Sequence, residues 1–216
     1  MFIVKNINKI FAPAITKLYK ENNISKLSSI YKQITFIVNF FTMPFVVLII
    51  LFSNDILYLY DNTGNLIQYS ILLYILMLAR IITLISGSSG MIMIMAGLED
   101  KELKIQAIKA VLIIISAFYL IDIYGLFSMV ILFVAFMFYI NIAQLYIINK
   151  YLQISPFSKN LSILIFVSLI LIYFSINFSY DFNLIHYVII PISVYFFYFF
   201  IFYKKLKKIY LNSFSK

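Results

Sequence analysis

The chain has 216 residues, 64% of them hydrophobic and only 12% charged, with a mean hydropathy of +1.01. Soluble domains are about half apolar and a quarter charged, so this composition excludes a water-soluble globular protein and points to an all-α integral membrane protein with several spans. The absence of Cys excludes a disulfide framework and thiolate chemistry. With a single His there is no His/Cys cluster for a metal, and no metal or cofactor is expected. The net charge is +9, but the Lys residues fall in blocks beside apolar runs. That pattern reads as membrane orientation, with no nucleic-acid partner.

Residues 1–33 interleave six Lys with Ile10, Phe11, Ile15, Leu18, Tyr19, Leu27, Ile30 and Tyr31. Met1 to Val4 are followed at once by Lys5 and Lys9, so the segment does not read as a secretory signal. The spacing predicts two short amphipathic helices, about 13–20 and 26–33, broken at Glu21-Asn22-Asn23, with Ser25 as N-cap of the second. Such a basic segment beside a span forms an amphipathic connector on the cytoplasmic face.

A six-helix membrane domain is predicted over 34–203, with spans at about 34–52, 67–97, 105–121, 126–148, 161–176 and 184–203. A bilayer core takes roughly 20 apolar residues of helix. Pro44 and Pro191 fall inside the first and last spans, where each removes a backbone donor. Residues 53–66 are expected to form a loop that turns at Asn62-Thr63-Gly64. The second stretch, 67–97, carries one charge, Arg80, and is expected to break at Gly87 and Gly90 before the charged turn 98–104. Asp122-Ile-Tyr-Gly125 reads as a tight turn between spans three and four. Residues 149–160 and 177–183 read as loops, and 204–216 as a basic cytoplasmic tail.

The charges test this division. Of 17 basic residues, 15 lie in the N-terminal segment, the 98–104 and 149–160 loops and the tail. The loops 53–66, 122–124 and 177–183 contain none. Alternate loops therefore segregate, as the positive-inside rule requires for an even number of spans, and both termini are expected in the cytoplasm. Only Arg80 and Lys109 fall inside spans; Lys109 is near enough to an end to snorkel.

Two features invite a chemical reading. Gly87-Ser88-Ser89-Gly90 contains a G-x-S-G pattern, and with His186 it suggests an intramembrane serine protease. A Ser nucleophile needs its base within hydrogen-bond reach. The topology instead puts Ser89 near the inner end of its span and His186 near the outer end of its own, so small residues for close helix packing are the better reading. No catalytic residue is assigned, and an enzyme is not expected. Arg80 is different, because a charge at mid-bilayer is costly and normally faces a polar cavity or a partner. It is the candidate binding residue for an anionic substrate, with Asn39, Asn141 and Gln144 as candidate polar neighbours; an Arg paired within the bundle, or one facing a missing partner segment, is the alternative.

The order of features also resembles a known family. Phe11-Ala-Pro-Ala-Ile-Thr-Lys-Leu-Tyr19, then Leu27 through Tyr31, then a span carrying Pro44 and ending Ile50-Leu-Phe-Ser-Asn-Asp-Ile-Leu57, resembles the C-terminal lobe of polysaccharide (O-antigen, Wzx-like) flippases. These belong to the multidrug/oligosaccharidyl-lipid/polysaccharide exporter superfamily. Gly87 through Met95-Ala-Gly97-Leu-Glu-Asp-Lys101, Asp122-Ile-Tyr-Gly125 and Lys150 through Pro156-Phe157 continue the resemblance, which covers about residues 8–160. The chain departs from the family at Ser128-Met129-Val130, where a second Gly and small residues are common. The resemblance implies a multi-pass transporter of the cytoplasmic (inner) membrane that moves lipid-linked oligosaccharide outward in polysaccharide or lipopolysaccharide biosynthesis. Such a substrate carries a pyrophosphate, which suits Arg80. It also implies two lobes, of which this chain supplies one, completed by an N-terminal lobe encoded elsewhere. The alternative is a non-transporting membrane scaffold or a remnant of a split gene.

Overall fold

The computed structural model describes residues 2–177 and 186–214, and side chains at 9–173, 189–204, 206 and 207. Among the described residues there is no strand. The helices are α1 (Phe2–Lys20), α2 (Ile24–Leu51), α3 (Ser53–Tyr60), a 3-10 turn (Asn65–Tyr69), α4 (Ser70–Ser86), α5 (Ser89–Met95), α6 (Glu99–Leu152), α7 (Lys159–Asn177) and α8 (His186–Phe214). Three helical stretches, 24–51, 65–95 and 99–152, are long and apolar enough to cross a membrane. The chain is thus an all-helical protein of membrane composition.

α2 is the central post. Its 28 residues rise about 42 Å, and it packs against α1, α4, α7 and α8. Its N-terminal half joins one apolar cluster through Leu27, Tyr31, Ile34 and Val38, together with Ile15 and Leu18 of α1, Ile92 and Met93 of α5, and Ile105, Ile148 and Leu152 of α6. Its C-terminal half joins a second cluster through Phe36, Phe40, Met43 and Val47, with Ile81 of α4, Leu164 of α7 and Tyr198 and Phe202 of α8.

α6 is a hairpin rather than a rod. Glu102 and Gln144 are 42 positions apart, which is about 63 Å along a straight helix. Their side chains are hydrogen-bonded at 2.8 Å. The reversal is at Gly125, whose φ of 55° and ψ of −136° are non-helical and favour glycine. Residues 99–124 form an ascending arm and 126–152 a descending one.

Contacts fix the other directions. Tyr74 near the start of α4 meets Ser53, while its end meets Tyr31, so α4 runs against α2. In α8, Tyr195 packs edge-to-face with Phe45 and Phe202 with Phe36, so α8 also runs against α2. With α7 leaving the end where Ile154 is buried, six helical segments alternate in direction among the described residues: α2, α4–α5, the two arms of α6, α7 and α8. The turns at 20–24, 96–105 and 148–154 gather at one end, where Lys101 lies 4.4 Å above the Tyr151 ring.

Several boundaries differ from the sequence reading. The predicted 13–20 helix extends back to Phe2 and passes through Pro13. The predicted 26–33 helix and first span are one helix, α2, because nothing between them breaks the hydrogen-bond ladder. The N-cap is Asn23 rather than Ser25: the Asn23 side chain accepts from the Lys26 N–H, and the Ser25 hydroxyl donates to the same oxygen. The chain can turn there because Asn22 adopts a φ of 53°, a left-handed conformation that Asn tolerates. Residues 53–60, expected as loop, form α3. The turn that follows is held by Asp61, which accepts from the Thr63 hydroxyl and N–H. Those hydrogen bonds, the hydroxyl's foremost, hold the Asp61 carboxyl below its usual value. Gly87 breaks the second stretch as expected, with φ 65°, whereas Gly90 lies inside α5. Between spans three and four only Gly125 departs from helix, and 122–124 remain helical. Both α2 and α8 continue through their prolines. The predicted loop at 178–183 and the start of the sixth span at 184–185 lie outside the described residues.

Candidate functional site

The polar side chains of the apolar helices converge on the break at Gly87. α2 brings Tyr31, Thr35 and Asn39, four residues apart and all buried, so they share one face. The descending arm of α6 brings Asn141 and Gln144, also buried. Ser86, Ser88 and Ser89 flank the break and are buried between them. Gly87 allows the approach in two ways. Its positive φ suits glycine, and a Cβ there would stand 2.2 Å from the Thr35 hydroxyl oxygen.

Side chains of α2 reach backbone carbonyls at the break, where Leu84 also accepts from the Gly87 N–H. The Tyr31 hydroxyl donates to the Ser86 carbonyl at 2.7 Å. The Asn39 amide donates to the Leu84 carbonyl at 2.6 Å and to the Thr35 carbonyl on its own helix at 2.7 Å. In lipid, unmet backbone groups cost several kcal/mol each, and the Tyr31 hydroxyl supplies the Ser86 carbonyl with a donor at the break. Ser86 donates to Asn141 Oδ1, and Asn141 Nδ2 donates to the Met137 carbonyl at 2.7 Å and to Thr83 at 3.3 Å. Thr35 Oγ1 and Asn39 Oδ1 are buried and make no hydrogen bond among the described residues.

A second polar group adjoins it toward the basic end. Ser89 donates to Gln144 Oε1 at 2.6 Å, and Gln144 Nε2 donates to both carboxylate oxygens of Glu102 at 2.8 and 2.9 Å. Gln106 Nε2 donates to the same carboxylate at 2.8 Å. Glu102 is only 8% exposed. Gly90 makes room, since a Cβ there would meet Gln144 Nε2 at 3.0 Å and Glu102 Oε1 at 3.2 Å.

Of the four residues singled out from sequence, three join these networks, and Arg80 lies on α4 just beyond them. Asn39 and Asn141 bond around the Gly87 break and Gln144 bonds to Ser89 and Glu102. Arg80 is half-buried, one turn before Leu84, with its guanidinium 5.6 Å from the Phe133 ring centroid. Among the described residues no carboxylate pairs with it, the one ion pair being Lys17–Glu21 on α1 and its exit. Lys109 is half-buried on the ascending arm. Ser89 gives its proton to an amide oxygen, which is no general base; the His186 side chain lies outside the described residues.

Glu102 is the residue that sequence reasoning missed. It reads as part of a solvated charged turn, Leu98 to Lys104. The available signal is its spacing: Leu98, Glu102 and Ile105 share the face of α6 that joins the core. Among the described residues no group of three or more His, Cys or acidic side chains could hold a metal ion. No protein-family model matches the chain, and neither curated proteins nor solved structures yield a match.

Proposed function

We propose that this chain forms the C-terminal lobe of a flippase that moves lipid-linked oligosaccharide across the cytoplasmic membrane, acting with an N-terminal lobe. The observation that carries the reading is the alternation of six helical passes with the Lys-bearing turns gathered at one end. That arrangement supports six spans with both termini in the cytoplasm. Alternating access in such transporters takes two lobes rocking about a central site, and the largely uncovered α6 hairpin, with 11% of its most apolar window buried, leaves a broad apolar surface for lipid or a second lobe.

Arg80 is the residue this reading assigns to the substrate. It is half-buried in an apolar helix, uncompensated by any described carboxylate, and the pyrophosphate of a lipid-linked sugar supplies the missing charge. The cation–π contact with Phe133 holds the guanidinium without neutralising it. In proteoliposomes carrying the two-lobe assembly, Arg80→Gln is expected to lower outward movement of a fluorescent lipid-pyrophosphate oligosaccharide at least tenfold, with Arg80→Lys intermediate because it keeps the charge and loses the fork. Unchanged transport by Arg80→Gln would remove the assignment.

A further inference from the structure

Glu102 is a buried carboxylate with neutral partners only, at the end of the bundle where the Lys-bearing turns meet. Three helical segments reach it. α5 offers Ser89 and Gly90 and contains no titratable side chain. The descending arm of α6 offers Gln144, and its own charged residue, Lys150, lies by the Tyr146 and Tyr151 rings. On the ascending arm Gln106 donates to it, while Lys101 is drawn to the Tyr151 ring and Lys104 is exposed. α1, packed on α5, holds its Lys17 against Glu21. No ion pair reaches Glu102 among the described residues.

We propose that Glu102 is a reversible proton-binding site, and that Gln144 and Ser89 form a relay that offers the Glu102 carboxyl a hydrogen-bond partner in each protonation state. In the observed arrangement the carboxylate accepts three amide N–H contacts, and Ser89 donates to Gln144 Oε1. When water at the basic end delivers a proton to Glu102 Oε2, that oxygen becomes a donor. A half-turn of the Gln144 amide then presents Oε1 to the acid O–H and Nε2 to the Ser89 oxygen. Ser89 exchanges its role from donor to acceptor, which a hydroxyl does by rotation. Gln106 keeps donating to Oε1, now the carbonyl oxygen. The proton enters from water and resides on Glu102; no other bond is made or broken. Gly90 leaves the space that the amide occupies. A buried acid with a good partner set in only one state would be fixed in that state; this set serves both. The site stands on this geometry alone and is independent of the flippase reading.

The test is infrared difference spectroscopy on the purified full chain in lipid vesicles, stepped from about pH 8 to about pH 4. A protonated-carboxyl C=O band should appear in the wild type that shifts in deuterated water and is missing from Glu102→Gln. Gln144→Leu keeps the acid but removes the acceptor of its O–H, so the protonated-carboxyl band should move to the higher frequency of a less hydrogen-bonded acid. Ser89→Ala should move the band by less. Spectra of Glu102→Gln identical to wild type would overturn the proton site. A Gln144→Leu band at the wild-type frequency would overturn the relay, and this second variant serves if Glu102→Gln fails to fold.

Discussion

α2 and the α6 hairpin are chemically alike and structurally opposite. Their most apolar windows have mean hydropathies of 2.5 and 2.4, yet 67% of one is buried within the protein and 11% of the other. Apolar content therefore decides that a stretch belongs in lipid and says nothing about which stretch is central. The difference comes from small and polar residues. α2 faces α4 with Tyr31, Thr35 and Asn39, and the break between α4 and α5 supplies Gly87 and three serines. The ascending arm of α6 presents Val111, Ile114, Ile115, Phe118 and Tyr119 outward, all at least half exposed. Lipid tails solvate those side chains as well as a neighbouring helix does, so packing and hydrogen bonds decide helix association in membranes.

Substitutions should separate the two regions. The largest effect is expected for Gly87→Val, which drives a Cβ into the Thr35 side chain and forces a β-branched residue to positive φ; about 3 kcal/mol or more is expected, read as loss of folded protein in detergent denaturation. Met43→Ala in the fully buried face of α2 should cost about 2 kcal/mol, the low end of the range for soluble cores, because lipid rather than water receives the exposed surface. Tyr31→Phe, which removes the donor to the Ser86 carbonyl, should cost about 1 kcal/mol. Phe118→Ala, on a side chain 78% exposed, should change stability of the isolated chain by less than about 0.5 kcal/mol. A cost at Phe118 similar to that at Met43 would mean that the hairpin is covered in the molecule being measured.

Glycine and charge made part of this fold legible in advance. Gly87 and Gly125 are both read from sequence as interruptions, and both carry positive φ, since a flexible residue between apolar runs has few other uses. The Lys blocks likewise mark 98–104 and 149–160, whose neighbouring residues share one cluster. Caps and helix junctions are less legible. Asn23 and Ser25 are both good N-caps, and the choice between them depends on Asn22 turning left-handed. The site is half legible. Asn39, Asn141 and Gln144 stand out as polar residues in apolar helices, but their partners come from α4, α5 and α6, whose approach no local pattern encodes. Glu102 is hidden for the opposite reason: its neighbours in sequence are charged and exposed, while it is turned inward beside Gly90.

The alternation of passes, and the hairpin at Gly125 above all, is most directly tested by single-cysteine labelling. The chain has no native cysteine, so each introduced thiol reports one position. In sealed membrane vesicles of known orientation, Lys104→Cys and Tyr151→Cys should react with a membrane-impermeant maleimide only from the cytoplasmic side, and Ile123→Cys only from the opposite side. Labelling of all three from the same side would contradict the hairpin as a pair of spans and, with it, the six alternating passes on which the proposed function rests.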